Sequence, residues 1–235
     1  MKQQTYRTLR RRGFTLIEML VVIAVMSVLA SMIFPITKAV NRTKLRSRAR
    51  ADMAQLETAI QSYKMKLGFY PPDNKNTNSP INQLYYELLG TTAIGGATKL
   101  GAYQTLDGSS TVDGADAGTA FGVDGFANAT KGGGDEGQLA INFYKGLNST
   151  QIGEYKTGQM KSPVRVLVGP AVWPDRLPPL VPGNAATRGL NPWHYNSSNP
   201  AYNPGSYDLW IDLIIDGKTN RIGNWSREPL INPPR

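Results

Sequence analysis

The residue with the clearest chemical significance is Glu18, a carboxylate near the start of an otherwise apolar segment. Basic residues 10–12 precede it, and no charged residue occurs from 19 to 37. An ionised carboxylate in hydrocarbon costs about 2.5–3.5 kcal/mol or more, so such a group is usually paired with a cation. A cut after Gly13 would supply that cation, because Phe14 would then carry a new α-amino group. Glu18 of one subunit could then pair with the ammonium group of its neighbour.

The run Gly13-Phe14-Thr15-Leu16-Ile17-Glu18 resembles the processing site of type IV pilins and type II secretion pseudopilins. The resemblance implies that a prepilin peptidase cuts between Gly13 and Phe14 and methylates Phe14. It also implies that Glu18 serves subunit recruitment and register, and that Pro35 is the helix-breaking proline of such subunits. The implied partners are further copies of the chain in a helical filament, other pseudopilins and an inner-membrane assembly platform.

The apolar segment predicts insertion into a membrane. Residues 19–37 approach the roughly 20 residues that a spanning helix needs. We predict a removable basic leader at 1–13 and a transmembrane and filament-core helix at 14–37. The resemblance implies a single-pass protein of the bacterial inner membrane, with its N-terminus in the cytoplasm and its head in the periplasm. The charge on the two sides of the span is nearly balanced, so it does not fix the orientation by itself.

Composition argues against two other classes of protein. The formal charge is +9, and removal of the five basic residues of the leader would leave +4. This charge flanks the apolar segment instead of clustering on the head, so we predict no nucleic-acid partner. The chain contains no cysteine, which excludes disulfide bonds and thiolate chemistry.

Other interpretations of the N-terminus stay open. A secretory signal peptide would have its small residues near Ala30 and Ser31, and a plain signal anchor would insert without polymerising. Within the assembly class, a type IV pilin or a minor pilin is the alternative to a pseudopilin. A non-polymerising, membrane-anchored envelope protein could instead bind a polysaccharide or a protein through Trp173, Trp193, Trp210 and exposed tyrosines.

The pattern after the apolar segment predicts an α+β fold, in which a long N-terminal helix packs on a small antiparallel sheet. Residues 38–68 form an amphipathic helix that continues into the head, and Gly68 ends it. Its apolar stripe consists of Met53, Leu56, Ile60, Tyr63 and Leu67. Pro35 predicts a kink or local melting at residues 32–35. The membrane-spanning first half and the amphipathic second half together correspond to a pilin-like architecture.

The head is predicted at 69–235. A short helix is expected at 81–89, and strands are expected at 164–168 and 207–215. Asp216-Gly217 predicts a hairpin whose second strand lies within 220–225. The glycine-rich insertion at 90–137 contains no phosphate-binding motif, and we interpret it as irregular. Its carboxylates are expected to be solvated; they are Asp107, Asp113, Asp116, Asp124 and Asp135.

The C-terminal region resembles that of the major pseudopilin of type II secretion. The residues in question are Pro192-Trp193-His194-Tyr195, Tyr207-Asp208-Leu209-Trp210, Asp216-Gly217 and Ile222-Gly223-Asn224-Trp225. The resemblance implies a calcium ion in the loop before the closing Asn-Trp. Here residues 217–221 are short and basic, whereas calcium needs about six to eight oxygen ligands. We therefore predict no metal and no cofactor.

No catalytic residues are predicted, and we do not expect an enzyme. His194 is the chain's one histidine, and it lies in an aromatic setting that indicates a structural role. Asp208 and Asp212 share one strand face, so a glycosidase-like pair stays possible, although partial solvation of that face explains them better.

Overall fold

In the computed structural model, the first element is one long helix, α1 (Leu16–Leu67). The structure describes residues 14–74, 81–94, 101–130, 138–174 and 189–233, without the side chains of 32–38. The predicted leader 1–13, with Gly13, lies outside these residues, as does Asp135. The chain divides into two compact units, Met1–Lys44 and Leu45–Arg235.

The second half of α1 is amphipathic, as its sequence predicts. Met53, Leu56, Ile60 and Tyr63 are buried, and Leu67 is partly buried against the core. The helix ends at Gly68, which adopts a left-handed φ of 87° and donates its N–H to the carbonyl of Lys64 at 2.8 Å. This glycine is the C-cap that the sequence predicts, since a residue without Cβ adopts this conformation at little cost.

The first half of α1 carries exposed apolar side chains from Leu16 to Leu29. The backbone is helical across Pro35. The local melting that was the alternative to a kink at residues 32–35 is therefore not observed. The side chain of Pro35 lies outside the described residues. Over the part of the chain that the structure describes, no helix is long and apolar enough to cross a membrane.

The glycine-rich insertion is more ordered than its composition predicts. A short helix α2 (Leu84–Leu89) precedes it, and it contains β1 (Thr91–Ile94), β2 (Ala102–Thr105), β3 (Thr111–Asp113), α3 (Gly114–Phe121) and β4 (Ala129–Thr130). The described strands form a sheet in the order β3-β2-β1-β4, antiparallel except for the parallel pair β1–β4. The prediction of a wholly irregular insertion is therefore wrong.

The C-terminal sheet agrees closely with the sequence pattern. The strands β5 (Ile152–Tyr155) and β6 (Val164–Leu167) form a separate pair. The larger sheet has the order β10-β9-β8-β7 and contains β7 (His194–Asn196), β8 (Asp208–Ile215), β9 (Lys218–Gly223) and β10 (Leu230–Ile231). Its described neighbours are antiparallel, and the turn Asp216-Gly217 joins β8 to β9 as predicted.

One hydrophobic core connects these elements. It contains the buried stripe of α1, most of α2 and the alternate residues Leu209, Ile211 and Leu213 of β8. The apolar stripe of α1 and the inward face of β8 thus belong to one buried cluster, and burial against other elements is the usual solution for a helix and a sheet with one apolar face each. The observed class is α+β with an N-terminal helix and antiparallel sheets.

Candidate functional site

Glu18 forms a capping box at the start of α1. The backbone N–H of Thr15 donates to Oε2 of Glu18 at 2.8 Å, and the backbone N–H of Glu18 donates to Oγ1 of Thr15 at 3.3 Å. The Thr15 hydroxyl also donates to Oε2 at 2.8 Å. Thr15 is therefore the N-cap residue and Glu18 the third helical residue of a reciprocal cap. Both side chains are exposed.

This cap was missed when the sequence was interpreted through charge alone. The signal was present, because Thr15 and Glu18 have the spacing of a capping box and stand directly before an apolar run. The cap uses one carboxylate oxygen, and among the described residues Oε1 has no hydrogen-bond partner. The arrangement therefore fixes the position of Glu18 at the helix start and leaves one oxygen for a cation.

Apolar side chains surround Glu18 at the surface of α1. Phe14, Leu16, Ile17 and Ile23 expose between 62% and 83% of their surface. Adjacent exposed apolar residues of this number are unusual on a monomer and typically mark a surface for association with another protein or with a membrane. The charge of Glu18 thus lies within a surface suited to apolar packing.

His194 does not belong to a catalytic group in the described residues. Its ring stacks on the indole of Trp210, with ring centroids 5.0 Å apart and an angle of 7° between the planes. Burial lowers the pKa of His194 to about 4, although the nearby Asp212 opposes this shift. The ring is therefore neutral near pH 7, and its contacts are those of a structural histidine.

Asp208 and Asp212 are both buried, which corrects their interpretation as partly solvated. Asp208 accepts three backbone N–H groups, from Ala201, Tyr202 and Asn203, at 2.6–2.9 Å. Asp212 accepts two hydrogen bonds from the Arg221 guanidinium, each of 2.9 Å. Each carboxylate thus anchors a loop or a neighbouring strand, and neither resembles half of a glycosidase pair.

The prediction of solvated carboxylates in the glycine-rich insertion is wrong for Asp116, whereas Asp113 is only half-buried. Asp116 is buried and accepts the backbone N–H groups of Lys161 and Ser162 at 2.9 Å. Asp113 is the N-cap of α3, with its carboxylate 2.8 Å from the N–H of Ala115. Both side chains hold the backbone of the insertion in place.

Glu87 is a buried carboxylate for which the sequence interpretation assigned no role. It is fully buried on α2 and accepts the Tyr63 hydroxyl at 2.9 Å and the N–H groups of Ala127 and Asn128 at 2.8 and 2.9 Å. Burial and the adjacent carboxylate raise the pKa of Tyr63. The Tyr63 hydroxyl therefore keeps its proton and donates it to Glu87, which ties α1 to α2.

The tryptophans proposed for ligand binding are mostly inside the head. Trp173 and Trp193 are buried. Trp210 is half-buried between the rings of His194 and Trp225. None of these three tryptophans is exposed, whereas Tyr202 exposes 48% of its surface.

The calcium ion that the family resemblance implies does not fit the described residues. The loop expected to hold it is reduced to the turn Asp216-Gly217, because β9 begins at Lys218. Asp212, the nearest carboxylate along β8, is already bound by Arg221. In the described ranges there is no group of three or more His, Cys, Asp or Glu side chains placed to hold a metal. The donor set falls short of the oxygen ligands that calcium requires.

Comparisons with known proteins agree with the N-terminal chemistry. The prokaryotic N-terminal methylation motif matches residues 8–34, the range that contains Gly13, Phe14 and Glu18. The type II secretion system core protein G of Pectobacterium carotovorum subsp. carotovorum is 40% identical over 74 residues, which are 32% of this chain and 47% of that protein. The protein of the same name from Klebsiella pneumoniae is 39% identical over 73 residues, 31% of this chain and 52% of its own length. That of Escherichia coli K12 is 36% identical over 72 residues, 31% of this chain and 50% of its own.

The similarity has a limited extent. The chain matches about half the length of these relatives. No solved structure is significantly similar to it. The resemblance identified from the residues is nevertheless confirmed, because the chain carries the prokaryotic N-terminal methylation motif and is similar over about a third of its length to type II secretion system core protein G.

Proposed function

We propose that this chain is a pilin-like structural subunit that assembles into the pseudopilus of a type II secretion system and so supports protein export. The observation that carries the proposal is the match of residues 8–34 to the N-terminal methylation motif. A prepilin peptidase cuts between Gly13 and Phe14 and methylates the new N-terminus. This protein is thus the substrate of the cleavage and methylation, and the peptidase is the enzyme.

Before assembly, the precursor is stored in the bacterial inner membrane. The uncharged residues 19–37 cross the bilayer once, with the basic leader on the cytoplasmic side. The head, residues 69–235, lies in the periplasm. The exposed apolar side chains between Leu16 and Leu29 support this proposal, because they need either lipid or other subunits to cover them.

During assembly, the apolar helix leaves the lipid and packs against the same helices of neighbouring subunits. Apolar packing drives this step, and Glu18 selects the register. The α-amino group of Phe14 in the adjacent subunit is the cation for Glu18. Removal of one partner of a buried ion pair typically costs about 3–5 kcal/mol, so registers that leave Glu18 unpaired are disfavoured. Pro35 permits a local change in the helix near the membrane exit.

The partners of the subunit follow from this assembly. They are further copies of the chain, other pseudopilins, the prepilin peptidase and the inner-membrane assembly platform. The resulting pseudopilus lies in the periplasm. The heads face outward and do no chemistry of their own.

Cysteine crosslinking in native membranes tests this function. The chain has no cysteine, so a single substitution at an exposed apolar position, Ile17→Cys or Ile23→Cys, gives a unique thiol. Oxidation of membranes that contain the assembly machinery is expected to give dimers at these positions. The same cysteine in a Glu18→Gln background is the matched control, and its dimer yield should fall at least tenfold. A chain that remains monomeric at every cysteine position along residues 16–31 would contradict the proposal.

A further inference from the structure

Arg50 binds a group of backbone carbonyls at the end of the C-terminal sheet. Its Nη1 donates to the carbonyl of Gly223 at 2.9 Å, and its Nη2 donates to those of Ser226 and Arg227 at 2.8 and 2.9 Å. These carbonyls flank the closing Asn224-Trp225. One side chain of α1 therefore holds the chain on both sides of that dipeptide.

The geometry is that of a cation held by oxygen ligands. The three carbonyl oxygens converge on one guanidinium, and a positive charge is the natural partner for such a group of dipoles. A guanidinium provides several N–H donors in a rigid plane and keeps its charge in proteins, so it can satisfy several acceptors together. Arg50 is half-buried, and bonds from an ionised donor are stronger than neutral ones.

The surroundings of Arg50 offer little to a metal ion. An open groove of about 500 Å³ lies beside it, lined by Met53, Glu57 and Trp225 among others. Two carboxylates, Glu57 and Glu228, lie close enough to interact with the charge of Arg50, and burial raises the pKa of Glu57. The carbonyls that Arg50 binds follow residues 217–221, the loop in which the family resemblance implies calcium, and they are already bound by a charge that is covalently attached to α1.

We propose that Arg50 anchors residues 223–227 to α1, so that this head folds and keeps its C-terminal segment in place without the calcium ion that the family resemblance implies for the loop before Asn224-Trp225. The anchor is intrinsic to the chain, and periplasmic calcium does not control it. This inference concerns the head alone and does not depend on the filament that we propose above.

Thermal unfolding of the purified full chain in detergent tests calcium independence directly. A ligand present at 100 times its Kd raises the Tm of a domain of this size by several degrees. The Tm is expected to differ by less than about 1 °C between EGTA and millimolar CaCl2, with MgCl2 as the control for ionic strength. A rise of about 5 °C or more that is specific to calcium would overturn the proposal.

Limited proteolysis tests the role of Arg50. Trypsin cleaves after Arg227, whose own carbonyl Arg50 binds, so cleavage requires this bond to open. Arg50→Ala is expected to speed the loss of residues 228–235 by about ten- to a hundredfold. Arg50→Lys keeps the charge but loses the planar guanidinium, so its cleavage rate should lie between those of the parent and Arg50→Ala. The matched control is Arg48→Ala, since Arg48 is exposed and donates to the Thr150 hydroxyl at 3.2 Å.

Each result bears on the proposal. If Arg50→Ala is cleaved at Arg227 no faster than Arg48→Ala, the anchoring role of Arg50 is refuted, even when calcium leaves the Tm unchanged. If Arg50→Ala fails to fold, the cleavage rates of the parent and Arg50→Lys are compared instead, and equal rates would also refute this role. Crosslinking of the filament plays no part in these measurements, so failure of the proposed function leaves them interpretable.

Discussion

Exchange of Glu18 for glutamine separates the two roles that the structure and the proposed assembly give this residue. In the parent, the backbone N–H of Thr15 donates to Oε2 of Glu18 at 2.8 Å. Glutamine retains a side-chain oxygen that can accept this bond, because Glu and Gln both serve in a capping box. It removes the charge. Thr15→Ala does the reverse, since it removes the N-cap hydroxyl and keeps the carboxylate.

The expected magnitudes differ enough to be measured. Loss of a threonine N-cap costs about 1 kcal/mol, which corresponds to a roughly fivefold effect. Loss of one partner of a buried ion pair costs about 3–5 kcal/mol, which corresponds to at least a hundredfold effect. We therefore expect Glu18→Gln to reduce incorporation into filaments far more than Thr15→Ala does. Glu18→Ala loses both cap and charge but leaves processing intact, and Glu18→Asp does partial damage through its shorter reach.

The assay is a competition within one cell. A variant and the parent, each with the same reporter cysteine at Ile23, are produced together, and their ratio in crosslinked multimers is compared with their ratio in membranes. Mass spectrometry of each chain shows whether its leader has been removed, and therefore that the variant and the parent both reached the peptidase. The reasoning about charge would be refuted if Glu18→Gln entered multimers like the parent while Thr15→Ala did not, because Glu18 would then act through the helix cap alone.

Three further predictions concern the head. Glu87→Ala should lower the free energy of unfolding by about 3–5 kcal/mol in denaturant titrations, because it leaves three donors without an acceptor. Tyr63→Phe, which removes only one of these hydrogen bonds, should lower it by about 1.5–3 kcal/mol. Equal stability of Glu87→Ala and the parent would contradict this prediction. Gly90→Ala should cost about 2–3 kcal/mol in the same titration, because Gly90 has a φ of 71° and a Cβ there would lie 2.8 Å from the carbonyl oxygen of Ile141; an unchanged midpoint would refute the clash. Because the pKa of His194 is lowered to about 4, the unfolded chain binds a proton that the folded chain does not between that value and about 6.5. The stability of the parent should therefore fall by about 3 kcal/mol relative to His194→Gln as the pH drops through this window, and parallel pH profiles would be the contrary result.

Local patterns made much of the fold predictable. The stripe from Met53 to Leu67 follows helical spacing, and Gly68 follows it directly, so the buried face and the end of α1 were both predicted. The hairpin was equally predictable, because one face of β8 is apolar, the other face is mixed, and Asp216-Gly217 supplies the turn. In each case the signal lies within a few residues of the element that it specifies.

The buried carboxylates were not predictable in the same way. Asp116 binds N–H groups 45 and 46 residues further along the chain, and Glu87 binds N–H groups 40 and 41 residues away. Asp116 lies in a glycine-rich stretch, where an acidic residue is ordinarily solvated. Glu87 lies among the apolar residues of α2, but none of its N–H partners is adjacent in sequence. The partners appear only once the fold brings distant loops together.

The N-terminus shows a different kind of omission. Thr15 and Glu18 have the spacing of a capping box, but the prediction for Glu18 rested on its charge in an apolar segment. The two interpretations are compatible, since the cap uses Oε2 and fixes the carboxylate at the start of α1. A helix end that is ordered in the free subunit lowers the entropic cost of placing this charge during assembly.

The most direct test of the central claim is the mass of the mature N-terminal peptide from the chain as it occurs in its native membranes. The account predicts a peptide that begins at Phe14 and is heavier by one methyl group on its α-amino nitrogen. A chain that retains Met1 and the basic leader, or one that begins after Ala30, would contradict the account, because neither product places an α-amino group where Glu18 can meet it.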